Sequence, residues 1–171
     1  MKRQHVLAAL AAFTFLCSCV KEHRTSPVQP GEPLPDFSVI TIDGRTVSKK
    51  DLIDKPSVII LFDTRCPDCI RQLPEIEAVH RETGEAVGVL AVAREEDRAS
   101  VASYWESAGY TIDVAAPGDR KVYDLFDRGS RSGVPLVYLS DSGGKVLRVG
   151  TDKAVLTADE ITTILAETTD K

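Results

Sequence analysis

The sequence predicts an α/β fold: a three-layer sandwich with a mixed central sheet, helices on both faces and an N-terminal β-hairpin extension. Three observations carry this. Strand-like and helix-like segments alternate through the middle of the chain, which implies a mostly parallel sheet covered on both sides. Two strand candidates, Ser57–Phe62 and Ala86–Ala93, are unbroken apolar runs of the kind buried on both faces. A hairpin signal stands before the alternation and another after it.

The elements follow in order. Phe37–Ile42 and Arg45–Val47 flank Asp43-Gly44, and the Asp-Gly pair suits a tight primed turn. After the strand Ser57–Phe62, a helix is expected from Pro67 to Thr83. Cys69, Ile70, Leu73, Ile76 and Val79 share its apolar stripe, and Gly84 ends it. Glu95–Ala108 reads as a helix stopped by Gly109. Thr111–Ala115 reads as a short strand and Asp119–Asp127 as a helix capped by Asp119. Leu136–Leu139 and Lys145–Val149 form the closing hairpin around Asp141-Ser142-Gly143-Gly144. Thr157–Glu167 is the last helix, opened by a Thr157/Glu160 capping box.

The first residues carry a different message. Lys2 and Arg3 precede an apolar run, Val6–Leu16, too short for the roughly 20 residues a membrane span needs. A positive start, a short apolar middle and small residues describe a secretory signal over 1–18. Leu16-Cys17-Ser18-Cys19 resembles a bacterial lipobox, which implies lipidation of Cys19 and a place in the bacterial cell envelope, facing the periplasm. Residues 19–33, polar and proline-rich, read as a tether, leaving 34–171 as the domain. The formal charge is −5, from 21 basic and 26 acidic side chains, and no basic cluster appears, so nucleic-acid binding is not expected.

Of the four cysteines, Cys17 leaves with the signal and Cys19 is taken by lipid. The domain keeps Cys66 and Cys69, spaced C-x-x-C where a buried strand gives way to a helix. With Cys66 at the N-cap and Pro67 at the first helical position, the sulfur faces unpaired N–H groups and the positive helix end, which favour thiolate, the nucleophilic form. Cys69 lies one turn on, within disulfide reach. Arg65 adds a positive neighbour, while Asp63 and Asp68 pull the other way. A zinc site needs two more ligands. Of the histidines, His5 is cleaved, His23 lies in the tether, and His80 stands about 21 Å along the same helix. No metal or cofactor is expected.

The run Ser57–Phe62, Asp63-Thr64-Arg65-Cys66-Pro67-Asp68-Cys69, then Pro74 and Gly133-Val134-Pro135, resembles the thioredoxin superfamily. The lipobox and the leading hairpin are similar to its membrane-anchored TlpA/ResA-like branch. The resemblance implies a thioredoxin-like fold over roughly 34–169, with Cys66 as nucleophile and Cys69 as resolving thiol. It further implies a cis Val134–Pro135 peptide facing the substrate beside both sulfurs, and exported thiol or disulfide proteins as partners. Arg65 stands where the family usually has tryptophan, and the single tryptophan, Trp105, is assigned to core packing. Ile60 and Gln72 occupy positions where the superfamily and this branch respectively carry an acid, so Cys69 lacks an obvious proton acceptor. Asp63 or Asp68 would serve if turned inward.

Three functions compete. The first is a thiol–disulfide oxidoreductase working as a reductase. The second is a peroxidase of the peroxiredoxin kind, for which threonine and proline are wanted where Asp63 and Ile59 stand. The third is a non-catalytic binding lipoprotein with a structural disulfide.

Overall fold

The computed structural model describes residues 26–167. Its elements are β1 (Ser38–Ile40), β2 (Thr46–Ser48), α1 (Lys49–Leu52), β3 (Ser57–Phe62), α2 (Pro67–Thr83), β4 (Gly88–Ala93), α3 (Arg98–Ala108), β5 (Asp113–Ala115), α4 (Lys121–Asp127), β6 (Leu136–Ser140), β7 (Val146–Gly150) and α5 (Ala158–Ala166). Five strands form one mixed sheet in the order β5-β4-β3-β6-β7, while β1 and β2 form the separate hairpin. β3 pairs parallel with β4 and antiparallel with β6, all six of its residues being buried. Successive side chains along a strand face opposite ways. Phe62 therefore packs on one face against Trp105 of α3, their ring centroids 5.3 Å apart. α2 and α5 pack together on that face, tied by Gln72 and Leu156. On the other face Phe126 of α4 meets Tyr138 of β6 at 4.8 Å and Phe37 at 5.8 Å. Burying each such large side chain contributes about 1.5–3 kcal/mol, and the sheet faces carry most of them.

Several expectations need correction. The hairpin turn is not a two-residue primed turn. Gly44 N–H donates to Thr41 carbonyl (2.9 Å) and Thr41 N–H to Arg45 carbonyl (2.9 Å), with Gly44 at φ +93°. That is a three-residue loop ending in a glycine at positive φ, so only Gly44 needs the special backbone. Beyond the turn, Ile42 N–H bonds the Val114 carbonyl (2.9 Å), which covers the outer edge of β5. Helix α3 starts at Arg98, because Asp97 caps it by accepting from Ser100 N–H (3.0 Å). Helix α4 starts at Lys121 after Arg120. Asp119 accepts from Lys121 N–H (3.0 Å) as a local turn instead of capping the helix. A 3-10 turn over Gly84–Ala86 delays β4 to Gly88. On α2 the buried stripe carries Gln72 and not Ile70, which is 44% exposed, because Ile70 lies 100° around the helix from Cys69.

The expected tether also gives way partly to packed structure. Val28 is fully buried, and its N–H donates to Phe126 carbonyl (2.8 Å). Gly31 N–H bonds Val146 carbonyl (2.7 Å), Leu34 N–H bonds Gly144 carbonyl (2.8 Å), and Glu32 pairs with Arg128 (2.8 Å). Proline-rich chain is compatible with a sheet edge, where a missing N–H faces away from the ladder. The signal segment, Cys17 and Cys19 lie outside the described residues.

Candidate active site

Two chain segments build the site. The first is the turn out of β3. Cys66 N–H donates to Asp63 carbonyl (3.0 Å), and Ile70 N–H closes the first helical bond on Cys66 carbonyl (3.0 Å). Cys66 is the N-cap of α2, at φ −86° and ψ 117°, and Pro67 takes the first helical position, where its missing N–H leaves nothing unpaired. Cys66 is half-buried and Cys69 wholly buried, and both are free thiols.

The second segment is the approach to β6. Leu61 pairs with Leu136 across the antiparallel ladder, so the residues just before β6 lie beside those just after β3. The Val134–Pro135 peptide is cis, and the Cys66 thiol donates to Val134 carbonyl at 3.3 Å. Asp127, buried at the end of α4, holds the preceding loop. Its carboxylate accepts from Ser130 Oγ (2.6 Å), Ser132 N–H (2.8 Å) and Arg131 N–H (3.0 Å). Arg128 and Arg131 sit at φ +54° and +58°, a left-handed backbone that costs non-glycine residues energy and that these bonds help to hold. Tyr123 reaches the same loop through a hydrogen bond from its hydroxyl to Ser132 carbonyl. Arg94 and Arg120 lie over the Tyr123 ring, at 5.4 and 5.1 Å from its centroid.

Burial pushes the Cys69 thiol well above the usual cysteine range. The Asp63 backbone N–H, directed at its sulfur, offsets this only in part. For the Asp63 carboxyl burial also pushes upward, but hydrogen bonds from Arg65 and the charge of Arg94 outweigh it and hold the group below its ordinary value. Arg65 N–H and Nε donate to Asp63 Oδ1 (2.9 and 3.1 Å), and a terminal guanidinium nitrogen meets Oδ2 at 3.0 Å. Glu96, buried, accepts from Thr64 N–H (2.8 Å) and from the Thr64 hydroxyl, fixing the turn from the other side.

Of the residues singled out from sequence, Cys66, Pro67, Cys69, Val134 and Pro135 come together. Arg65 is turned onto Asp63, and Asp68 is turned outward onto Arg71. Ile60 is core. Gln72 is engaged at both ends, Nε2 donating to Leu156 carbonyl (2.8 Å) and Oε1 accepting Leu156 N–H (2.9 Å). α2 runs through Pro74 to Thr83. Trp105 is buried, its Nε1–H on Ile112 carbonyl (2.9 Å). Asp127 and Glu96 were missed, since a lone acid next to a loop carries no sequence signal of the N–H groups it will meet. Among the described residues no group of three or more His, Cys, Asp or Glu is placed to hold a metal ion.

Comparison with known proteins fits this geometry. A family model described as the AhpC/TSA family matches residues 30–149. The thiol–disulfide oxidoreductase ResA of Bacillus thuringiensis is 26% identical over 123 residues, covering 70% of this chain and 68% of that protein. Among solved structures, a thiol:disulfide interchange protein of the thioredoxin family from Chlorobium tepidum superposes with a TM-score of 0.68 at 23% identity, over 84% of this chain and 99% of that one. An exposed lipoprotein thioredoxin from Streptococcus pneumoniae gives 0.65 at 23% identity, over 77% and 98%. At these identities the structural likeness establishes the thioredoxin-like fold.

Proposed function

Because the chain belongs to the AhpC/TSA family, we propose that it is a thiol–disulfide oxidoreductase, acting as a reductase on exported proteins in the bacterial cell envelope. One observation carries the reading: an accessible thiol at a helix N-terminus, set against a peptide carbonyl, with a second thiol buried one turn behind it. The relatives named ResA support the activity. The lipobox at Cys19 supports a lipid anchor, as does the lipoprotein among the structural neighbours.

The Cys66 thiolate attacks one sulfur of the client disulfide, forming a mixed disulfide and releasing the client's other sulfur as a thiol. Cys69 then attacks Cys66, the Cys66–client bond breaks, and the client leaves reduced while the protein carries Cys66–Cys69. Pro67 and the Asp63 carbonyl fix Cys66, and Val134 and Pro135 form the opposite wall. The test is insulin reduction with a thiol donor. The wild type should turn over, Cys66→Ser should not, and Cys69→Ser should accumulate a mixed disulfide. Equal activity in Cys66→Ser would sink the reading. A potential of the couple near −270 mV marks a reductant and one near −120 mV an oxidant.

A thiol peroxidase is the second reading, favoured by the family match alone. Asp63 and Ile59 occupy the positions where that chemistry wants threonine and proline. Peroxide consumption by the protein would support it, and inertness toward peroxide would remove it.

A further inference from the structure

The chain ahead of β1, expected from sequence to be a tether, reaches the loop that forms one wall of the reactive crevice. We propose that Glu32 is a positioning residue of the active site: through Arg128 it holds the loop 128–133, and with it the Val134 carbonyl opposite Cys66. This rests on the dithiol exchange proposed above and adds a part to its client-binding wall.

Glu32 is itself held. Its carbonyl accepts Val146 N–H (2.8 Å), its N–H donates to Gln29 carbonyl (3.1 Å), and its Oε2 accepts Gln29 N–H (2.7 Å). The carboxylate is thus carried on the start of β7, a strand of the central sheet. Arg128 Nη1 donates to both of its oxygens, at 3.0 and 2.8 Å, across 96 positions of chain. The two side chains are 22% and 25% exposed, against 57% and 51% for the surface pair Arg45–Asp43. A pair so withdrawn from solvent is screened less by salt.

Arg128 is where such a hold is needed. It caps the C-terminus of α4 at φ +54° and ψ 31°, and Gly129 and Arg131 follow at φ +76° and +58°. Glycine adopts this backbone freely and arginine does not, so contacts from neighbouring elements must impose the loop's course. The Asp127 carboxylate and the Tyr123 hydroxyl grip residues 130–132, its later half. Glu32 grips its first residue. Two positions past Ser132, the Val134 carbonyl accepts the Cys66 thiol (3.3 Å). Releasing Arg128 lets the loop's start move and tilts the Val134 wall, whereas Cys66 and Cys69 stay fixed at the start of α2. Client binding should therefore suffer and thiol chemistry should not. A strap that merely adds stability would make no such distinction.

The test is insulin reduction with a thiol donor, comparing Glu32→Gln with wild type. KM should rise about fivefold, inside the roughly 2–30-fold span of residues that touch neither ligand yet bias a site, while kcat stays within about twofold. Arg128→Gln should raise KM likewise, and the double variant should add nothing further, because both substitutions break one contact. Glu77→Gln removes another partly buried ion pair, about 16 Å along α2 from Cys66, and should leave KM unchanged. An unchanged KM in Glu32→Gln, or a fall confined to kcat, overturns the proposal. So do single effects that multiply in the double variant, or an equal rise in Glu77→Gln. If Glu32→Gln fails to fold, as judged by Trp105 fluorescence, Arg128→Gln carries the same comparisons. Hydrogen exchange gives a readout without turnover. Amides in 128–134 should exchange about fivefold faster in Glu32→Gln, with β3 unchanged, and equal rates overturn the proposal. A wild type inert toward insulin overturns the dithiol exchange instead, and hydrogen exchange then decides Glu32 alone.

Discussion

Replacing Gln72 by leucine should lower stability by about 2–4 kcal/mol. The side chain is buried on α2 and satisfies both backbone groups of Leu156, at 2.8 and 2.9 Å, just before α5. Leucine fills similar space but leaves a buried N–H and a buried carbonyl unpaired, at about 1–3 kcal/mol each. Added apolar burial returns only about 1 kcal/mol. Urea unfolding of the reduced protein, followed by the fluorescence of Trp105, measures the loss directly, with the slope expected to be unchanged. The melting temperature should fall by roughly 10 °C. A shift below about 0.5 kcal/mol would refute the clamp. Gln72→Glu sharpens the test by pH. A carboxylate facing the Leu156 carbonyl is disfavoured when ionised, so its folded pKa rises above the unfolded value of about 4.3. That variant should match wild type below pH 4 and lose stability as pH climbs through the raised folded value.

Other outcomes follow from the same contacts. Burial pushes the Glu77 carboxyl up, but bonds from Thr111, Arg81 and Ile112 hold it below its ordinary value. Its contribution is thus present above the unfolded value of about 4.3 and lost as pH falls through the lower folded one. Glu77→Gln should flatten the acid limb of stability against pH in urea titrations. Asp127→Ala strips the partners of Ser130, Arg131 and Ser132. It should cost about 2–3 kcal/mol and raise KM for insulin more than it lowers kcat. Trp105→Phe leaves Ile112 carbonyl without its indole donor and should cost about 1–2 kcal/mol in thermal unfolding.

What sequence could reveal was decided by how local the physics is. β3 announces itself because six consecutive buried residues demand an apolar run, and α5 because Thr157 and Glu160 form their box within one turn. Cys66 and Cys69 are legible for the same reason, being one turn apart on one helix. Gln72 was visible only as a residue unable to titrate, since its partner Leu156 is 84 positions away. Asp63 was ambiguous because its orientation depends on Arg94, which arrives from β4. Val28 reads as tether until Phe126 supplies an apolar surface and a carbonyl for it. Ile70 fits an apolar stripe on paper, yet the buried side of α2 includes Cys69 and leaves Ile70 44% exposed.

The pairing of β3 with β6 has a bearing on endurance. A sheet loosens first at its margins, which here are β5 and β7. The two sides of the reactive crevice instead hang from interior neighbours, and the contact between them spans 68 positions of chain. Breathing of the outer strands therefore leaves the sulfur chemistry intact, and only rupture of the sheet's middle takes it apart.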